Sequence, residues 1–123
     1  MKFQLDQPEG VNNITRMEPG RVWVGPEAHE RAVLVPWQGA AQAWAPATFE
    51  QLSREHFAPM LALRPELVIL GTGPRHRFAH PALYRDLIEA GIGLEAMELH
   101  AACRTFNVLA GEGRKVLAAL LFG

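Results

Sequence analysis

The stretch that most constrains this chain is an apolar run with a proline before it and two glycines behind it: Pro65-Glu66-Leu67-Val68-Ile69-Leu70-Gly71-Thr72-Gly73. Leu67 to Leu70 is too short for a helix and is apolar on both faces of an extended chain. Such a run suits a strand covered on both sides, as parallel strands are. Gly71 and Gly73 let the backbone turn tightly at the strand's carboxyl end. That is the edge at which open α/β sheets gather loops and bind ligands.

The residues after this run alternate between two periodicities. Pro81, with His80 before it, predicts a helix start. Leu83, Tyr84, Leu87 and Ile88 form one helical stripe, and Gly91 closes the helix. Leu94 to Met97 then predicts a short strand, Leu99 to Leu109 a second helix, and Val116 to Phe122 a second fully apolar strand. Strand, helix, strand, helix, strand implies parallel strands joined by right-handed crossovers.

Upstream, residues 12–17 and 21–24 flank the turn Glu18-Pro19-Gly20 and predict a hairpin. Ala32 to Val35 is read as a further strand of that antiparallel sheet, with a short strand around Trp44. Residues 48–63 predict a short or kinked helix, capped by Thr48 or Ser53 and interrupted by Pro59. The expected fold class is α/β with three layers. A central parallel sheet carries helices on one face and an antiparallel sheet on the other. A length of 123 residues favours a single domain spanning 1–123.

Composition narrows the partners. A net charge of −1 gives no bulk attraction to nucleic acid or to an acidic membrane surface. No run approaches the roughly 18 apolar residues a membrane helix needs. Residues Met1 to Asp6 lack the apolar core of a secretory signal. The lone Cys103 cannot form an internal disulfide, which fits a reducing compartment. The expected location is the cytoplasm.

On a helical wheel, Leu99, Ala102, Cys103 and Phe106 share the core side, whereas His100, Arg104 and Asn107 form a polar row at i, i+4 and i+7. That row is read as looking toward the Gly71-Thr72-Gly73 edge. The plainer reading is a solvated face with one tertiary hydrogen bond from Asn107. Gly71-x-Gly73 lacks the third glycine of a dinucleotide fingerprint, and no helix opens there. Arg75, His76, Arg77 and His80 cluster locally and, with Arg104 and Arg114, suit a carboxylate or phosphate. The plainer reading is a solvated basic loop, since exposed charge is common. His76 and His80 have a metal-compatible spacing, but nothing completes four ligands. Neither a metal nor another cofactor is expected. Cys103 follows His100 by three residues, yet it lies on the apolar stripe, where a thiol behaves as an inert small hydrophobe. No G-x-S-x-G elbow and no acid/base pair is recognisable, so no catalytic residue is assigned.

Four segments together resemble a known family: residues 65–73, Gly91 to Met97, Ala101 to Leu109, and Glu112 to Val116. Their order and spacing are similar to those of mitochondrial complex I assembly factor 3 and its small bacterial relatives. The resemblance runs from about residue 65 to the end. It implies a three-layer β/β/α fold with no established catalytic activity in the bacterial members. The family's recurrent polar positions match Gly71, Gly73, Arg104, Asn107 and Arg114. Members often carry Asp-Thr or Asp-Ser after the strand methionine, where this chain has Glu98-Leu99 and therefore lacks the capping hydroxyl.

Two functional expectations follow. The first is a non-enzymatic protein-binding or assembly-factor-like module. The alternative is a small anionic-ligand protein or an enzyme, with a site at the carboxyl ends of the parallel strands built from Gly71, Thr72, Gly73, His100, Arg104, Asn107 and Arg114. The sequence names no partner and no oligomeric state.

Overall fold

The computed structural model of the chain describes residues 10–123. The opening segment read as lacking a secretory signal lies outside them. Among the described residues, eight strands and three α-helices form two sheets and their covering layers.

The smaller sheet is an antiparallel meander of β1 (Ile14–Glu18), β2 (Arg21–Val24) and β3 (Glu27–His29). The β1–β2 turn is the predicted one, with Gly20 at φ +75°. The larger sheet has the order β5-β4-β8-β6-β7. It comprises β4 (Val33–Val35), β5 (Gln42–Ala43), β6 (Leu67–Thr72), β7 (Gly93–Met97) and β8 (Val116–Leu121). β6 lies between β7 and β8 and is parallel to both, as the alternation of strands and helices requires.

Two details differ from expectation. β4 does not extend the small sheet. It joins β8 of the large one in antiparallel fashion, so the central sheet is mixed. The reason is compositional. Val33, Leu34 and Val35 are all buried, whereas a strand with one solvated face alternates, as Arg21–Val24 does. By the criterion that singled out β6, β4 belongs inside a doubly covered sheet.

The helices are also divided between both faces of that sheet. α3 (Leu99–Gly111) shares one face with the small sheet. Its Leu99, Ala102, Cys103, Phe106 and Ala110 pack among Ile14, Val22, Val24, Ile69, Ala118 and Leu120. The opposite face is covered by α1 (Ala58–Leu63), α2 (Arg85–Glu89) and the irregular segment around Trp44 and Leu52. There Phe57, Met60 and Leu87 meet Val68, Leu70, Leu117 and Leu121. Consecutive strand residues point to opposite faces, so a run that is apolar throughout supplies both cores.

Local signals explain the short helices. Ser53, not Thr48, heads the 3-10 turn Arg54–Phe57 that leads into α1, and its N–H donates to His56 Nδ1 at 3.0 Å. Pro59 falls in the first turn of α1, where no hydrogen bond is lost. His80 caps the turn that begins at Pro81, accepting from the Ala82 N–H.

Candidate functional site

The carboxyl ends of β6, β7 and β8 form one rim, and the predicted site is divided between this rim and the opposite end of the sheet. Gly71, Thr72, Gly73 and the start of α3 lie at this rim. Arg114 precedes β8, beside Glu66 at the start of β6, so it stands at the opposite end of the sheet. Its Nε donates to Glu66 Oε1 at 3.2 Å. The Arg114 side-chain bond, followed by the Lys115 N–H, holds the Glu66 carboxyl below the usual range. Arg114 is therefore not beside the other six residues.

Gly71 sits inside β6, and its missing side chain is what α3 packs against. A Cβ there would come within 3.0 Å of Leu120 Cδ2 and 3.3 Å of Ala102 Cβ. Gly73 has φ +90°, and its carbonyl accepts the Leu99 N–H at 2.8 Å, tying the turn to the start of α3. Thr72 is 1% exposed. Its Oγ1 lies 2.7 Å from the Arg75 carbonyl and 3.0 Å from the Met97 carbonyl, and accepts the Arg77 N–H at 3.1 Å. One hydroxyl thus pins both the 73–77 loop and the end of β7.

The first turn of α3 is capped by a residue the sequence reading passed over. The Glu98 carboxylate accepts the His100 N–H at 3.0 Å and the Ala101 N–H at 2.6 Å. Glu98 is itself the N-cap residue, so the helix is capped without a hydroxyl at Leu99. Partial burial raises the Glu98 pKa, but the bonds from His100 and Ala101, with the His100 and Arg104 charges, outweigh this and hold it low. The helix amino terminus is thereby already occupied by an anion of the chain itself. Arg104 Nη2 lies 3.8 Å from Glu98 Oε1, so its charge also faces an internal acid.

The polar row of α3 turns away from the Gly71–Gly73 edge and toward the small sheet. Asn107 Oδ1 accepts the Ile14 N–H at 2.7 Å, and its Nδ2 donates to the Ile14 carbonyl at 2.8 Å. His100 Nε2 approaches the Glu18 carbonyl at 3.4 Å. The match is one of length. Seven helix residues rise about 10 Å, close to the roughly 13 Å of four strand residues, so the row spans β1 from end to end.

Cys103 is buried, and that burial above all, with the Glu98 charge adding and Arg104 opposing, pushes its thiol up to about 12. It is not a thiolate near neutrality. The basic loop is also committed in part: Arg77 pairs with Glu50 and stacks on Phe49, its guanidinium 4.3 Å from the ring centre. Among the described residues, no three His, Cys, Asp or Glu side chains converge as a metal site would require.

Two clefts flank the rim and share Gly20 and Phe122 as a wall. The smaller, about 270 Å³, is lined by Pro19, Pro74, Glu98 and His100. The larger, about 730 Å³, lies toward the β4–β5 edge between Glu30, Arg31, Trp44 and Pro46. The Trp44 indole N–H is spent on the His56 carbonyl at 2.9 Å, and Glu30 is paired with Arg21. Among the described residues, neither cleft sets a nucleophile beside a base.

A mixed central sheet, a small antiparallel sheet and helices on both faces of the larger one place the chain in the α/β class. The chain belongs to the family described as Protein of unknown function (DUF498/DUF598), which matches residues 14–121. Among curated proteins it is 31% identical over 121 residues to the mouse (Mus musculus) NADH dehydrogenase [ubiquinone] 1 alpha subcomplex assembly factor 3, covering 97% of this chain and 64% of that protein. The chain thus spans less than two thirds of the mouse relative. Among solved structures, a Bordetella parapertussis protein superposes with a TM-score of 0.88 at 30% identity, covering 94% of this chain and all of that one. A Bordetella pertussis protein described as a Mth938-like domain gives 0.85 at 26% identity, covering 98% of this chain and 92% of that one. No helix among the described residues is long and apolar enough to cross a membrane.

Proposed function

We propose that this chain is a non-enzymatic protein-binding module that acts in an assembly-factor-like role, as a single domain in the cytoplasm. One observation carries the reading. At the rim where an α/β protein would hold a ligand, the polar groups are spent on the chain itself. Glu98 fills the helix amino terminus and Thr72 is bonded to its own loop, with the exposed Arg104 beside Glu98 at 3.8 Å; further along α3, away from the rim, Asn107 is bonded to Ile14. A site built this way supports shape and, among the described residues, leaves no base and nucleophile in reach of each other at the rim. The naming of the mouse relative as an assembly factor supports a protein partner, by an analogy that fold alone would not license.

The test is affinity capture of the tagged chain from its native cells after mild cross-linking, compared with a charge-matched control and read by mass spectrometry. One stoichiometric protein partner, retained in the Arg104→Met variant, is the expected result. Capture of no partner, together with turnover or tight binding of a small anion that Arg104→Met abolishes, overturns the reading.

A further inference from the structure

The central sheet ends on one side at β7, and among the described residues no strand pairs with that edge. Gly93 donates its N–H to the Glu66 carbonyl, and the Met97 carbonyl is turned toward Thr72. Residues 93, 95 and 97 therefore bond to β6, and the N–H and C=O groups of Leu94 and Ala96 point outward, as the parallel ladder requires. The other edges are closed or short. β5 has two residues and β3 three, and β1 is met by Asn107 at Ile14 and by His100 at Glu18.

Beside the open edge lies a groove of about 350 Å³ between Leu94, Ala96, Phe78, Ala79 and Tyr84. Phe78 is 83% exposed and is steadied by His76, edge-on with ring centres 4.3 Å apart. An unpaired strand edge with apolar side chains along it is the template for strand addition.

We infer that β7 is a docking edge for an extended segment of a partner protein, carrying a basic residue opposite Glu95 between two apolar residues. This deepens the protein-binding reading above and rests on it. The charge of Glu95 selects the occupant. Glu95 is exposed at the middle of the edge. If a second copy paired there, Leu94 and Ala96 would exchange bonds with their counterparts across a two-fold axis. The two Glu95 carboxylates would then stand directly opposite, which is destabilising. A basic side chain at that place is complementary, and the apolar residues on either side of it fall on the Leu94 and Ala96 face, against Phe78 and Tyr84.

The probe is a pair of capped peptides, TTVKVTT and TTVEVTT, titrated to millimolar concentration into the isotope-labelled chain and followed by amide NMR. The lysine peptide is expected to shift and protect the Leu94 and Ala96 amides, with shifts at Phe78. Glu95→Lys is expected to reverse the preference, changing each affinity by about fivefold, as a swap between opposed and matched cross-strand charges implies. Ala96→Pro removes an outward donor without touching the bonds to β6 and abolishes the shifts.

Shifts that map elsewhere, no shifts, or a preference unmoved by Glu95→Lys overturn the inference. So does a free chain that sediments as a dimer with Leu94 and Ala96 already protected. A native partner captured equally by wild type and by Glu95→Lys overturns this edge and leaves the protein-binding reading standing.

Discussion

Replacing Asn107 with alanine removes the side chain that hydrogen-bonds both backbone groups of Ile14. The carboxamide accepts at 2.7 Å and donates at 2.8 Å, and the Ile14 it holds is 3% exposed. Each lost bond is worth about 0.5–1.5 kcal/mol net, and more where the stranded partner stays dry. Asn107 is half-buried, so water reaches part of the gap and the gross loss is about 2–3 kcal/mol. Alanine is the better helix former by about 0.5 kcal/mol, leaving a net cost of about 1.5–2.5 kcal/mol. For a chain of this size that corresponds to a Tm lowered by about 5–15 °C. Urea unfolding should show a lower midpoint with an unchanged slope, and the Ile14 amide should lose protection from hydrogen exchange. Asn107→Asp keeps the acceptor but sets a carboxylate against the Ile14 carbonyl, so it should not rescue at neutral pH. A loss under about 0.5 kcal/mol, within the range of an ordinary surface substitution, with Ile14 still protected, would refute the reasoning.

Cys103 should resist thiol reagents in native buffer at pH 8 and react fully in denaturant, because its thiol is buried and pushed up to about 12; labelling at a free-thiol rate contradicts this. Gly71→Ala should destabilise by about 1–3 kcal/mol, the usual cost of overpacking, because the new methyl meets Leu120 and Ala102; an unchanged denaturation midpoint refutes it. Glu98 has a folded-state pKa below the ordinary glutamate value of 4.5. Its stabilisation is therefore present above that value and lost as pH falls through the lower folded value. Glu98→Gln should accordingly flatten that part of the acid limb in a pH series of melting curves, and identical slopes would contradict the cap.

The elements that were legible in the sequence are those whose side chains have one job. Leu67 to Leu70 and Val116 to Leu121 are apolar throughout because both faces are covered, and they read as buried strands at sight. Gly91 and Pro81 mark helix ends through backbone chemistry alone. β4 carried the same signal as β6 but sits next to a hairpin in the chain, and proximity in sequence suggested the wrong sheet.

The candidate site was half legible. Gly71, Thr72 and Gly73 do meet the start of α3, since a strand's end and the following crossover must share a rim. The direction of the row His100, Arg104 and Asn107 depends on where β1 lies, and no local pattern encodes that. Glu98 was passed over because glutamate is not among the preferred capping residues, and only its two short bonds to the helix amino terminus reveal it. Arg114 was grouped with the site by charge, whereas strand polarity puts it at the far end.

One helix, α3, is fastened to both sheets by different chemistry. Its apolar stripe seats on the central sheet where Gly71 leaves room, and its polar row fastens β1. The meander of β1 to β3 cannot part from the rest without breaking the Asn107 bonds and uncovering Ile14, Val22 and Val24. α3 in turn cannot leave without exposing Phe106 and Cys103. The small sheet, the helix and the large sheet should therefore melt together. Fluorescence from Trp23 on the small sheet and Trp44 on the far side of the large one should report the same transition.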